Sequence, residues 1–191
     1  MRIIFILSFG LLPLLGCSSI KGCLLPDSEL NAKVDAVDEA RHLVDACYGA
    51  IDSLLAQHSF PKDIDRVLVA TVVDVNNVQS TTMFGRVTSD CLSSRLTQKD
   101  KDVIHATVRQ DAMLIRKDGQ FLLSREAKLL AKDYNARTAL VCTYAVTDHS
   151  VVMSLKMVST VEDSILAGLD VVMPRSPTIS QMLAGWASPR Y

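Results

Sequence analysis

The chain has 191 residues, with 20 Lys and Arg against 21 Asp and Glu, a formal net charge of −1. Without a basic excess it lacks the electrostatic footprint of a nucleic-acid binder, and with 49% hydrophobic residues it holds enough apolar surface to fold rather than stay disordered. The length suits one domain, while a mean hydropathy of +0.23 is high for a soluble protein.

Much of that hydropathy sits at the N-terminus. Residues 1–16 carry one Arg and then an apolar run broken only by Ser8, Gly10 and Pro13. They read as a lipoprotein signal peptide, too short to span a bilayer comfortably. Leu14, Leu15, Gly16 and Cys17 resemble a bacterial lipobox, with cleavage between Gly16 and Cys17 and lipid on the Cys17 thiol. The small Gly16 lets the cleavage pocket close, and the thiol is the nucleophilic acceptor. Several acyl chains there would hold the protein stably, since each buried CH₂ contributes about 0.8 kcal/mol. Ser18 stands where Asp would retain an enterobacterial lipoprotein in the inner membrane, which points to the outer membrane.

Residues 17–33, broken by Gly22 and Pro26, read as a lipidated tether. A domain is expected over 34–174 and a tail over 175–191. Val37, Ala40, Val44, Cys47, Ile51, Leu54 and Leu55 recur in steps of three and four, so an amphipathic helix opens the domain and closes at Phe60-Pro61. The β-branched run 67–73 predicts a strand buried on both faces. Asp74 to Asn77 turn the chain, and Ser80 or Thr81 is expected to cap a second helix with the stripe Phe84, Val87, Cys91, Leu92 and Leu96. A weaker strand follows over 103–108, then an extended piece over 113–115 and a turn at 117–119. Ser124 suits the cap of a third helix with Ala127, Leu130, Ala131 and Tyr134 on one face and Asn135 at its end. Strands over 138–146, 151–158 and 165–173, joined by turns at 147–150 and 161–164, close the domain. The last is expected to put Ile165, Ala167, Leu169 and Val171 on one side. The order α-β-α-β-α-β-β-β predicts an α/β (α+β) fold: a mixed β-sheet with covering helices, partly parallel and ending in an antiparallel meander. A short helix is expected within the tail, over 179–187.

No constellation for catalysis appears. His42, His58, His105 and His149 lack metal-ligand spacing, and HExxH, CxxC, GxSxG and SxxK are absent. The expectation is therefore no enzyme, no catalytic residue, no metal, no small-molecule substrate, and no cofactor beyond the covalent lipid on Cys17. Cys23, Cys47, Cys91 and Cys142 are an even set for an oxidising compartment, which permits disulfides. Their apolar settings also suit buried thiols. If two pair, Cys47 with Cys91 is the least strained choice, provided the first two helices share a sheet face.

Residues 66–96 resemble the opening of the FlgO-type outer-membrane lipoproteins. The matching positions are Val73, Asp74, Asn76, Thr81, Gly85 and Arg86. Leu123, Ser124 and Arg125 match a second segment of that family, and 139–146 its buried strand ending in Thr-Tyr. The domain also resembles the N-terminal domain of TolB and lipoproteins that activate penicillin-binding proteins. Cys142 departs from a frequent Gly, and Glu162-Asp163-Ser164 from the usual Asp-Gly turn. The resemblance implies a lipid-anchored outer-membrane protein, facing the periplasm, that supports flagellar assembly or stability and motility through a protein partner. An envelope lipoprotein regulating peptidoglycan synthesis or a secretion assembly is the alternative. Gly85 is expected to allow close helix–sheet packing. Asp74, Asn76, Arg86 and Arg125, near helix starts at strand ends, are the candidate partner surface.

Overall fold

The computed structural model describes residues 27–57, 66–78, 80–106, 113–115, 121–123, 125–162 and 164–184. The signal peptide, Gly16, Cys17, Ser18, Cys23, the Phe60-Pro61 helix end, the 117–119 turn and the Ser124 cap lie outside the described residues, as do the side chains of Arg125, Ala127 and Leu130. In chain order the elements are α1 (Asp27–Gln57), β1 (Arg66–Ala70), β2 (Val73–Asp74), α2 (Met83–Gln98), β3 (Asp102–Ala106), β4 (Met113–Ile115), β5 (Phe121–Leu123), α3 (Arg125–Asp133), β6 (Thr138–Val146), β7 (Ser150–Ser159), β8 (Ile165–Pro174) and α4 (Pro177–Ala184).

The main sheet has the order β3-β1-β6-β7-β8, with β2 also pairing β6. β1 is parallel to β3 and β6, whereas β6, β7 and β8 form the expected antiparallel meander. Alternation along the central strands feeds two cores. Val67, Val69, Leu140 and Cys142 join α1, α2 and α4 in the larger one. Leu68, Ala139 and Val141 point the other way, onto Ala131 of α3. Burial of β1 on both faces is thus borne out. Among the described residues, Ala131, Ala136 and Ala139 are three of the six buried members of this second core.

Helix ends follow local chemistry. Asp100 and Asn135 take left-handed φ values of 58° and 54°. Lys101 N–H then reaches Leu96 O at 3.1 Å, and Ala136 N–H reaches Ala131 O at 2.7 Å, closing α2 and α3 with Schellman-type bonds. Asn135 therefore ends α3 as expected. Tyr134 does not join its apolar face; it falls just past the last helical residue and is 50% exposed.

Four other details differ from expectation. α1 begins at Asp27, inside the stretch read as tether, and residues 32–38 are exposed. Polar residues suit a solvated helix as well as a coil, so composition does not separate them. The run 67–73 is interrupted: Val69 faces Leu140 but Val73 faces Thr143, so four residues advance against three and a bulge falls at 70–72. A second bulge between Met157 and Val158 pairs Val158 with Ile165. It turns Ile165 away from Ala167, leaving it 61% exposed while Ala167 is 6% exposed. Finally, α4 lies in the stretch read as tail and packs on the domain: Ile179 is buried in the larger core, and Thr178 N–H donates to Glu39 Oε2 at 3.0 Å. The Thr178 side chain, together with this backbone bond, holds the Glu39 carboxyl below its usual pKa.

Candidate partner surface at the start of the second helix

The bulge at 70–72 receives the first turns of α2. Thr82 is the N-cap, its side chain accepting from Gly85 N–H at 3.3 Å. Thr81, expected in that role, instead donates to Val72 O at 2.8 Å. Ser89 accepts from Val72 N–H at 2.8 Å and donates to Gly85 O at 2.8 Å. Both polar groups of the bulged residue are therefore met by hydroxyls of this segment. Gly85 lies so close that a Cβ there would stand 2.3 Å from Val72 O and 2.4 Å from Thr81 Oγ1. The expectation of close helix–sheet packing at Gly85 is met.

Thr82 Oγ1 and the Tyr144 hydroxyl share a hydrogen bond of 2.9 Å, and Phe84 meets the Tyr144 ring edge-on at 5.1 Å. Burial raises the Tyr144 phenol above its ordinary pKa, the Thr82 bond lowers it, and the Asp74 charge adds to the rise. Asp74 Oδ1 accepts from Asn76 N–H at 2.7 Å, and Val75 N–H donates to Tyr144 O at 2.9 Å. This is an Asx turn pinned to the end of β6. Asp74 and Asn76 are thus brought together, with Val75 40% exposed between them. Arg86 is exposed one turn into α2, and among the described residues it pairs with neither Asp74 nor Asp90. Arg125 is not gathered here. It opens α3, whose Ala131 packs on the opposite sheet face from Phe84 of α2.

A second exposed feature was not legible in the sequence. A cleft of about 540 Å³ lies beside α3, lined by Lys128, Leu129, Lys132, Arg137 and Val161. Leu129 and Val161 are 53% and 68% exposed. Only the mixed polarity of α3 hints at it. Among the described residues, no three His, Cys, Asp or Glu side chains could hold a metal ion together, and no helix is long and apolar enough to cross a membrane.

α1 and α2 also meet through charge. Arg95 Nε donates to Asp52 Oδ1 at 2.9 Å, Lys99 Nζ lies 3.1 Å from the same carboxylate, and the Arg95 guanidinium stacks over Tyr48 at 5.2 Å. The Arg95 bond, helped by Lys99, lowers the Asp52 pKa to about 2. Cys47, Cys91 and Cys142 are free thiols.

The chain is similar to the C-terminal domain of LpoB from Salmonella enterica, at 14% identity and a TM-score of 0.47, over 66% of this chain and 97% of that one. A PelC dodecamer from Paraburkholderia phytofirmans gives 15% identity and 0.46, over 64% and 83%. A lipoprotein from Neisseria meningitidis gives 12% identity and 0.40, over 59% and 82%. The comparison with curated proteins gave no match. The FlgO protein family matches residues 48–178, from within α1 to the start of α4. That span is well over half of the chain, which belongs to the FlgO protein family.

Proposed function

We propose that the protein is a non-enzymatic, lipid-anchored protein of the outer membrane, facing the periplasm, that supports flagellar assembly or stability and so motility. The family match over residues 48–178 carries this reading, and it supports an envelope lipoprotein. The Leu14 to Cys17 motif supports the anchor, with lipid on Cys17.

The mechanism is placement. Roughly nine residues separate Cys17 from the start of α1, and fully extended they would reach about 30 Å. Helix α1 then rises about 1.5 Å per residue, and the first of its described side chains to be buried is Leu43. Its exposed turns over residues 32–38 act as a stiff stalk between lipid and domain. The turn Asp74 to Asn76, with Val75 and Arg86, is the surface offered to a protein partner. It is held in one conformation by its own hydrogen bonds, so little order is lost on docking.

Deletion of the gene tests the reading. Loss of swimming with normal cell shape is the expected result. Shape or lysis defects with intact swimming would overturn it, in favour of a regulator of peptidoglycan synthesis or a secretion assembly.

A further inference from the structure

The three described cysteines converge on the larger core. Cys47 is buried on α1 and Cys142 is buried on β6, while Cys91 on α2 is partly exposed. α1 and α2 cover the same sheet face, which is the condition for a Cys47–Cys91 pairing. The contacts between the two helices keep one register: Tyr48 meets Arg95, and Asp52 meets Arg95 and Lys99, which sets Cys91 on the same seam as Cys47 one turn earlier. The ion cluster therefore clamps the helices within about a turn of the thiols. Cys91 packs against the core cluster that contains Cys47, so the two thiols face one another across the helix pair. The Cys142 thiol instead points to the Thr143 carbonyl at 3.8 Å.

We propose that Cys47 and Cys91 form a disulfide that ties α1 to α2 in the mature protein. The oxidant is an external disulfide, R–S–S–R. The Cys91 thiolate attacks one of its sulfurs, forming a mixed disulfide and releasing one R–S⁻. Cys47 then gives up its proton and attacks the Cys91 sulfur, releasing the second. Two protein thiols are oxidised, the external disulfide is reduced, and the two protons end on the two R–SH products.

Access and reactivity both favour Cys91 as the entry point. It is the partly exposed member of the set. The neighbouring Cys47 thiol lowers its pKa to about 7, against the opposing effects of burial and the Asp90 charge. The same contact holds the Cys47 thiol well above its ordinary value, together with burial. Consuming the Cys91 charge in the mixed disulfide relieves that restraint as the second step begins.

Export, part of the proposed function, decides only where the oxidant is met. The pairing is testable without it. Reduced full-length protein is incubated with oxidised glutathione, alkylated, digested without reductant and mapped by mass spectrometry. A Cys47–Cys91-linked peptide is expected, and the oxidised protein should melt roughly 10 °C above the reduced one, since a loop of roughly 45 residues is closed. Recovery of either thiol alkylated, or linked instead to Cys23 or Cys142, would overturn the proposal. So would a linked protein with no rise in Tm.

Discussion

Gly85 gives the sharpest test of how α2 seats on the sheet. Replacing it by Ala adds one carbon, and in an exposed helix interior that change stabilises by about 1 kcal/mol. Here the new Cβ would fall 2.3 Å from Val72 O, a backbone atom in a bulge already fixed by hydrogen bonds. Restoring ordinary contact needs about 1 Å of retreat by the helix. Overpacking of this kind costs about 1–3 kcal/mol. The same retreat stretches the 2.8 Å bond from Val72 N–H to Ser89, and an unmet buried N–H costs about 1–3 kcal/mol. After the helix-propensity gain, Gly85→Ala should destabilise by about 3 kcal/mol and lower Tm by about 6–12 °C. Gly49→Ala is the internal control. Gly49 lies exposed within α1 with nothing within 4 Å of its Cβ position, so the substitution should raise Tm by about 2–4 °C. Thermal melts by circular dichroism of the two variants should move in opposite directions. An unchanged or raised Tm for Gly85→Ala would refute the close approach of α2 to the bulge.

The Asp52 cluster predicts acid sensitivity. A carboxylate held at about 2 when folded, against 3.8 in the open chain, stabilises the fold above about pH 4, and that contribution is lost as pH falls toward 2. Glu39 acts with the same sign. Between pH 5 and 2 the Tm of Asp52→Asn should therefore fall less steeply than that of the wild type, and parallel curves would remove Asp52 from the account. Ile179→Ala, in α4, should cost about 3 kcal/mol, because Ile179 is only 3% exposed in the larger core. A neutral effect in urea unfolding would mean that α4 does not belong to the packed domain.

The elements legible in the sequence are those with unbroken chemistry. The apolar, β-branched run of β1 suits a strand buried on both faces, and the period-two pattern of β7 fixes its core face. The bulges were hidden because they arise between strands: nothing in 67–73 marks Thr71 or Val72 as different from its neighbours, and one extra residue near Leu166 turns Ile165 away from its core. The N-cap of α2 was missed by one position because Ser80, Thr81 and Thr82 can all cap. Tertiary structure decides between them: Val72 O takes Thr81, and Tyr144 meets Thr82.

At the candidate surface, Asp74 and Asn76 were readable as a turn because their side chains bond locally. Arg125 shares with them only its place at a helix start. Whether successive helices cover the same face of a sheet depends on crossover and strand order, which local spacing does not encode. The cysteines depend on the same placement, and the shared face of α1 and α2 is what makes the pairing available.

The most direct test of action by placement uses swimming in soft agar. The deletion strain is complemented with the wild-type chain, or with a Cys17→Ala chain exported behind a cleavable, non-lipoprotein signal at equal abundance. The anchored protein should restore swimming, and the soluble domain should leave the strain as defective as the deletion. Full swimming with the soluble domain would contradict the account.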